Sequence, residues 1–288
     1  MTAIYVVYHR MVTDGDGIQY LWQVANQQQL IPWLVGVSLL SVFNWLFEVF
    51  KWKQLAEVIR PTLFKNAYQQ TIGAQTLAIL TPGRLGEYGG KALFYPKGQK
   101  GKVLAFTFYH NMHQLGITFV AGVLGLFYLS YTYMASFIVI GFLAMLMLSK
   151  LLKRQVVKGY SLQQLYNTYK AIPLKNRAWN MLLSVMRYIV FSHQFYLFLW
   201  VLQVPLDYAT CMGCITAMYL LASLVPLMSL LDVVLKTGIA VSLFTVFKVP
   251  AIIVLGVTVL MWICNTGFPA LLGTFVVGNF KLKSTTVC

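Results

Sequence analysis

The sequence predicts an all-α polytopic membrane protein, with about six to eight transmembrane or half-membrane helices. Hydrophobic residues make up 59% of the 288-residue chain and charged residues only 10%, whereas a soluble domain carries roughly 25% charged residues. Apolar runs long enough to cross a bilayer recur along the chain. Basic residues gather in the segments between these runs, which is the pattern of a protein that crosses the membrane several times.

The net charge of +15 fits a membrane better than a nucleic acid as the partner. Of the 22 lysines and arginines, 18 lie in the segments 51–66, 84–102, 150–177 and 281–283. The intervening segments 11–30, 131–133 and 203–208 have none. Basic loops stay in the cytoplasm and are attracted to anionic lipids, so we expect a cell-membrane protein with a cytoplasmic C-terminus. An anionic membrane lipid is the expected partner, and no nucleic acid.

The first apolar run, 31–50, is long enough to span the membrane. Glu48, Lys51 and Trp52 at its end resemble an interfacial anchor, and residues 51–66 suggest an amphipathic surface helix. Residues 1–10 are too short to span. We expect them to be the end of a helix that begins upstream or a segment in the interface.

The next apolar stretch is broken by Thr81-Pro82-Gly83 into two short pieces, 67–80 and roughly 90–95. Its flanks are both basic, so both should be cytoplasmic, and the stretch must cross twice or not at all. Pieces of about 14 residues are too short for two upright crossings of a ~30 Å hydrocarbon core. The pattern favours a re-entrant helical hairpin with residues 81–83 at its tip.

The rest of the chain repeats this order. Spans are predicted at 103–130, 134–149, 179–202 and 250–277, and the pieces 210–231 and 232–247 surround a second break at 226–232. A second hairpin entering from the opposite side would make an inverted repeat. The alternative is two plain spans, which their lengths permit. The predicted domain is a single one, 1–288, with halves 1–149 and 178–288 joined by the basic cytoplasmic loop 150–177.

Charged residues beside the two breaks are the candidate binding site. Arg84 and Glu87 follow the first break, where Pro82, Gly83 and Gly86 shape the turn, and Asp232 and Lys236 follow the second. Ionisable residues at membrane depth face protein or a water-filled cavity, and such positions are functional hypotheses. Arg can bind a phosphate bidentately, whereas Lys acts as a point charge. The alternative for the first break is a cytoplasmic loop with solvated charges.

The predicted span 103–130 also carries polar residues. His110 and His113 share a helix face with Asn111 beside them, so they either line a cavity or form hydrogen bonds between helices. Arg187 lies inside a later span and has Glu48 or Asp232 as a possible partner. The histidines have no third ligand nearby in sequence, so we expect no metal, and we expect no cofactor and no catalytic residue.

Four segments resemble the transmembrane region of the lysylphosphatidylglycerol synthase family, also called flippase-like proteins. They are TPGRLGEYGGKALFY from Thr81, EVFKW from Glu48, SLVPLMSLLDVVLKTGI from Ser223 and MWICNTGFPALLG from Met261. The chain resembles a stand-alone member without the aminoacyl-transfer domain. It departs from the family pattern at Lys236, where Arg is expected, and at Asp232, where Glu is common.

The resemblance implies a protein that moves a phosphate-bearing lipid, of phospholipid or polyprenyl-phosphate type, between leaflets. Arg84, Glu87, Asp232 and Lys236 would then line a cavity at the membrane midplane. An alternative is a membrane subunit that presents lipid to a separately encoded glycosyl- or aminoacyl-transferase. An intramembrane hydrolase is a third class, for which the sequence offers only loosely placed candidates.

Overall fold

The computed structural model describes residues 30–151, 155–157, 160–161 and 167–285, so the predictions for residues 1–29 lie outside the described residues. Apart from two short antiparallel strands, β1 (Gln155–Val157) and β2 (Tyr160–Ser161), the described elements are helical. The α-helices are α1 (Leu30–Ile59), α2 (Phe64–Ile79), α3 (Leu85–Ala92), α4 (Lys100–Tyr128), α5 (Thr132–Leu151), α6 (Leu174–Val201), α7 (Tyr208–Ser223), α8 (Ser229–Phe244), α9 (Ala251–Trp262) and α10 (Phe268–Thr285).

Four segments of the described chain are long and apolar enough to cross a membrane: Leu30–Ile59, Leu174–Val201, Leu230–Phe247 and Ala251–Gly278. Large apolar side chains cover much of the outer surface, and Phe137 on α5, for example, is 78% exposed. A soluble protein rarely exposes apolar surface on this scale. The architecture is therefore consistent with the predicted all-α polytopic membrane protein.

The prediction for residues 48–66 was wrong. Helix α1 continues past the expected interfacial anchor to Ile59, and Glu48, Lys51 and Trp52 are buried. The helix ends two residues before Pro61, as expected because the residue before proline disfavours the helical conformation. No surface helix occupies 51–66 in the described chain, since residues 51–59 belong to α1 and α2 begins at Phe64.

The first helix break lies at Thr81-Pro82-Gly83, where the sequence predicts it. Helix α2 has 16 residues and α3 has 8, which correspond to about 24 Å and about 12 Å of helix, so neither crosses a ~30 Å core alone. Helix α3 begins at Leu85, earlier than the expected piece at 90–95. Gly83 and Arg84 turn the chain with φ of 55° and 59°. The Thr81 hydroxyl accepts a hydrogen bond from the Gly86 N–H at 2.6 Å.

The second break lies between α7 and α8, where residues 224–228 include Pro226. It touches the first break directly. The Gly83 N–H donates to the Leu227 carbonyl at 3.1 Å, and Pro82 forms an isolated antiparallel bridge with Met228. The two helix breaks are therefore in direct backbone contact with each other.

Five helix–helix contacts are the most extensive in the described chain. Helix α1 packs on α6, α2 on α3 and α10, α4 on α7, and α8 on α9. Small residues allow close approach: a Cβ on Gly125 of α4 would overlap Thr216 of α7, and one on Gly273 of α10 would overlap the Ile72 carbonyl of α2.

Helices α9 and α10 are joined by one π-helical turn, Ile263–Gly267. The Trp45 indole N–H donates to the Asn265 carbonyl at 3.2 Å. The Asn265 side chain accepts from the Asn44 amide at 2.6 Å and donates to the Gln194 amide oxygen at 2.9 Å. The turn thus ties α1 and α6 to the last helices, as expected where π-bulges expose backbone groups that neighbours can satisfy.

Asp207 caps α7 by accepting a hydrogen bond from the Thr210 N–H at 2.9 Å, and this backbone donor lowers the pKa of the Asp207 carboxyl below its usual value. We expect Asp207→Ala to lower the melting temperature in detergent by a few degrees, because the helix loses its cap. Asp207→Asn keeps a side-chain acceptor and should retain most of the stability. Equal melting temperatures for Asp207→Ala and the wild type would contradict this role.

Candidate functional site

Seven ionisable side chains from four helices gather beside the first break, and we refer to them as the charge cluster: Glu48, Lys51, Arg84, Glu87, Lys91, His110 and Arg187. They come from α1, from the start and body of α3, from α4 and from α6. Most are buried, although the Arg84 side chain is 41% exposed. Arg84 is therefore the member most open to the surroundings.

Glu48 is the centre of one half of the charge cluster. Its Oε1 lies 2.7 Å from His110 Nε2, and its Oε2 lies 3.1 Å from Arg187 Nη1. Lys51 Nζ is 3.7 Å from the same Oε2. The sequence left Arg187 with two possible partners, Glu48 and Asp232, and the structure pairs it with Glu48. His110 is fully buried, which matches the helix-packing interpretation of the two histidines.

Glu87 is the centre of the other half. Its carboxylate lies 2.7 Å from Lys91 Nζ and 3.2 Å from Arg84 Nη2, and Asn111 donates to it at 3.4 Å. Arg84 also donates to the Gln75 side chain at 2.8 Å. Helical spacing explains the pairs on α3, because residues three and four apart are neighbours on a helix surface.

The second break carries its own ion pair. Lys236 Nζ lies 2.6 Å from Asp232 Oδ2, and both side chains are partly exposed. Asp232 lies close enough to Arg84 to interact electrostatically with it. The four predicted residues thus form two ion pairs, one per break. The contact between the breaks is made by the backbone at Gly83 and Leu227.

His113, predicted as a lining residue, connects helices. Its Nδ1 lies 3.0 Å from the Asn180 side-chain oxygen on α6, and the Asn180 amide donates to the Lys51 carbonyl on α1 at 3.1 Å. A cavity of about 200 Å³ also lies against α4. It contains none of the predicted site residues, and its walls are Ala105, Phe106, Phe108, Tyr109, Met112, Tyr169 and Ile172. These walls suit hydrocarbon better than a headgroup.

A metal ion is a poor match for the charge cluster. One ligand atom each from Glu48, Glu87 and His110 lie within 4.8 Å of one another, which is close enough to share an ion. The same two carboxylates, however, are already paired with four lysine and arginine side chains. The positive charge of those side chains would repel a divalent cation and attract an anion.

The sequence prediction omitted three members of the charge cluster. Glu48 and Lys51 were assigned to the interfacial anchor, and Lys91 was not selected. Their spacing was the available signal: Glu48 and Lys51 are three residues apart, and Glu87 and Lys91 are four apart, which places each pair on one helix face.

The fold and the charge cluster define a helical membrane protein with a buried, cation-rich network between its helices. Comparison with protein-family models, with curated proteins and with solved structures finds no match. The resemblance to the flippase-like family therefore depends on the motifs of this chain, and its function is a proposal.

Proposed function

We propose that the protein is a lipid flippase that moves a phosphate-bearing lipid, of phospholipid or polyprenyl-phosphate type, between the leaflets. The observation that carries this proposal is the meeting of two charged helix breaks, Pro82–Gly83 against Leu227–Met228, beside a cation-rich cluster. Transporters with broken helices bind their substrates where such breaks meet.

The proposal includes an inverted repeat with two re-entrant hairpins, α2–α3 and α7–α8. If α1 corresponds to α6 and α4 to α9–α10, exchanging the halves maps the most extensive helix contacts onto one another or onto themselves. The contact of α1 with α6 maps onto itself, and that of α2 with α10 maps onto that of α7 with α4. The contact between the tips also maps onto itself. This correspondence of contacts supports a pseudo-two-fold relation between the two halves of the chain. The positions of the basic segments favour entry of the two hairpins from opposite sides of the membrane.

Arg84 is the first expected contact of a lipid phosphate. It is partly exposed, it lies at the tip of the first break, and its φ of 59° is uncommon for a residue other than glycine. A strained residue at such a position is a functional candidate. The N-termini of α3 and α8 add partial positive charge on the same side. Glu87 and Asp232 would hold Arg84 and Lys236 in place when no lipid is bound.

A flip assay in proteoliposomes with headgroup-labelled lipids tests the proposal. We expect the wild type to move one class of anionic lipid and Arg84→Asn to lose most of this movement. Asn tolerates the left-handed backbone and removes the charge, and Glu87 keeps Lys91 as its partner, so the variant should fold. The control is Lys53→Ala, which removes a cation from a surface pair with Glu57.

Three outcomes separate the alternatives. Loss of movement in Arg84→Asn alone supports both the function and the site. Normal movement by a folded Arg84→Asn shows that the site assignment is wrong. If folded wild type moves no lipid, transport is wrong, and the partner of a separate transferase becomes the better hypothesis.

A further inference from the structure

The charge cluster has more positive than negative charge. Within the described residues, Lys51, Arg84, Lys91 and Arg187 form their ion pairs with Glu48 and Glu87, which leaves two positive charges over when His110 is neutral. The neighbouring ion pair of Asp232 and Lys236 does not change this net charge, because its two charges cancel. Buried charge without a counter-charge is strongly unfavourable, so a balancing anion would stabilise this arrangement.

Each carboxylate faces two cations, but the cations without a full set of hydrogen-bond partners in the described part of the chain are those around Glu48. Lys91 and Arg84 both donate hydrogen bonds to Glu87. By contrast, Lys51 Nζ is fully buried and has no hydrogen-bond partner among the described residues, and Arg187 Nε also has none there. Both side chains approach the same oxygen, Glu48 Oε2, at 3.7 Å and 3.1 Å. The ammonium of Lys51 on α1 and the guanidinium of Arg187 on α6 therefore lie on the same carboxylate oxygen.

We infer that Lys51 and Arg187 form an oxyanion site, deeper than the helix breaks, that takes a phosphate group. An ammonium and a guanidinium are the two side-chain donors that bind phosphate most strongly. The Arg187 side chain is 14% exposed whereas Lys51 is fully buried, so an anion would approach from the Arg187 side. The phosphate belongs either to a lipid headgroup or to free inorganic phosphate. The inference goes beyond the proposed function, because the same anion would balance the charge in a protein that does not move lipid.

Thermal unfolding of the purified full-length chain in a neutral detergent tests the inference. We expect inorganic phosphate or a short-chain phosphatidic acid to raise the melting temperature of the wild type in a saturable manner. Sodium gluconate at matched ionic strength and a neutral phosphatidylcholine are the reference additions. A rise with phosphatidic acid alone assigns the site to a lipid headgroup. A rise with both assigns it to the phosphate group itself, whatever its source.

Lys51→Met should weaken anion binding, so that the apparent Kd for the stabilising effect is at least about tenfold higher than in the wild type. Methionine has a similar length, and Lys51 Nζ donates no hydrogen bond within the described chain, so the variant should fold without the anion. The matched control is Lys53→Met, two residues further along α1 and partly exposed, which should bind like the wild type.

Two results would overturn the inference: no stabilisation of the wild type by either phosphate compound, or an unchanged Kd in Lys51→Met. If Lys51→Met does not fold, Arg187→Gln replaces it with the same expectation. Because the assay measures binding and not movement, its outcome is separate from that of the flip assay. A protein that binds phosphate but moves no lipid would keep this inference and lose the proposed function.

Discussion

Glu48→Gln is expected to destabilise the protein by about 3–5 kcal/mol, the cost typical of breaking a buried ion pair by removing one partner. Glu48 is buried and contacts Lys51, Arg187 and His110. Without its negative charge, the fully buried Lys51 and the mostly buried Arg187 lose their counter-ion, and Lys51 cannot reach water without a rearrangement of the packing around α1. The free energy of unfolding in detergent micelles is the quantity to measure.

The matched control is Glu57→Gln, on the same helix. Glu57 pairs with Lys53 at the surface, where such pairs contribute about 0–1 kcal/mol. Added salt should reduce the small effect of Glu57→Gln and leave the large effect of Glu48→Gln nearly unchanged, because buried pairs are screened less. Similar losses for the two variants would show that the charge cluster contributes no more than a surface pair.

Gly86→Ala is expected to have the second largest effect, a loss of about 1–3 kcal/mol from overpacking. A Cβ at this position would overlap the Leu77 carbonyl and come within 2.8 Å of the Thr81 hydroxyl oxygen. Both atoms belong to the end of α2 and the turn, so α3 would have to move away from α2. Such a shift should also displace Arg84 and weaken the lipid movement proposed above.

Gly89→Ala provides the comparison for this prediction, because it lies on the same short helix with nothing within 4 Å of an added Cβ. Alanine favours the helix over glycine by about 0.5–1 kcal/mol, so this variant should be neutral or slightly more stable. Melting temperatures of the two variants in the same detergent give the result. Equal changes would mean that helix propensity, and not the close approach of α2 and α3, controls the stability of this hairpin.

The helix breaks were predictable because their signals are local. Pro82, Gly83 and Pro226 disfavour a continuous helix, and the structure places both breaks at these residues. The end of α1 was not predictable in the same way. Lys51, Trp52 and Lys53 have the composition of an interfacial anchor, and only the packing of α2, α4 and α6 against α1 shows that two of the three are buried.

The same limit applies to the site. The pairing of Arg84 with Glu87 and of Asp232 with Lys236 follows from helical spacing and could be predicted. The partner of Arg187 could not, because it lies on a helix far away in sequence. The excess of buried positive charge likewise appears only when four helices are placed together.

The π-helical turn at Ile263–Gly267 has a consequence for the whole last third of the chain. A π-turn amounts to one additional residue in a helix, and each residue turns a helix by about 100°. Because of this turn, the apolar face that α9 presents to α8 continues in α10 as a face directed to α2, where Gly273 lies against Ile72. Deleting or inserting one residue in this turn would therefore rotate α10 about its axis by about 100° relative to α9. The π-helical turn thus fixes the rotation of α10 relative to α9, so that α9 packs on α8 and α10 packs on α2.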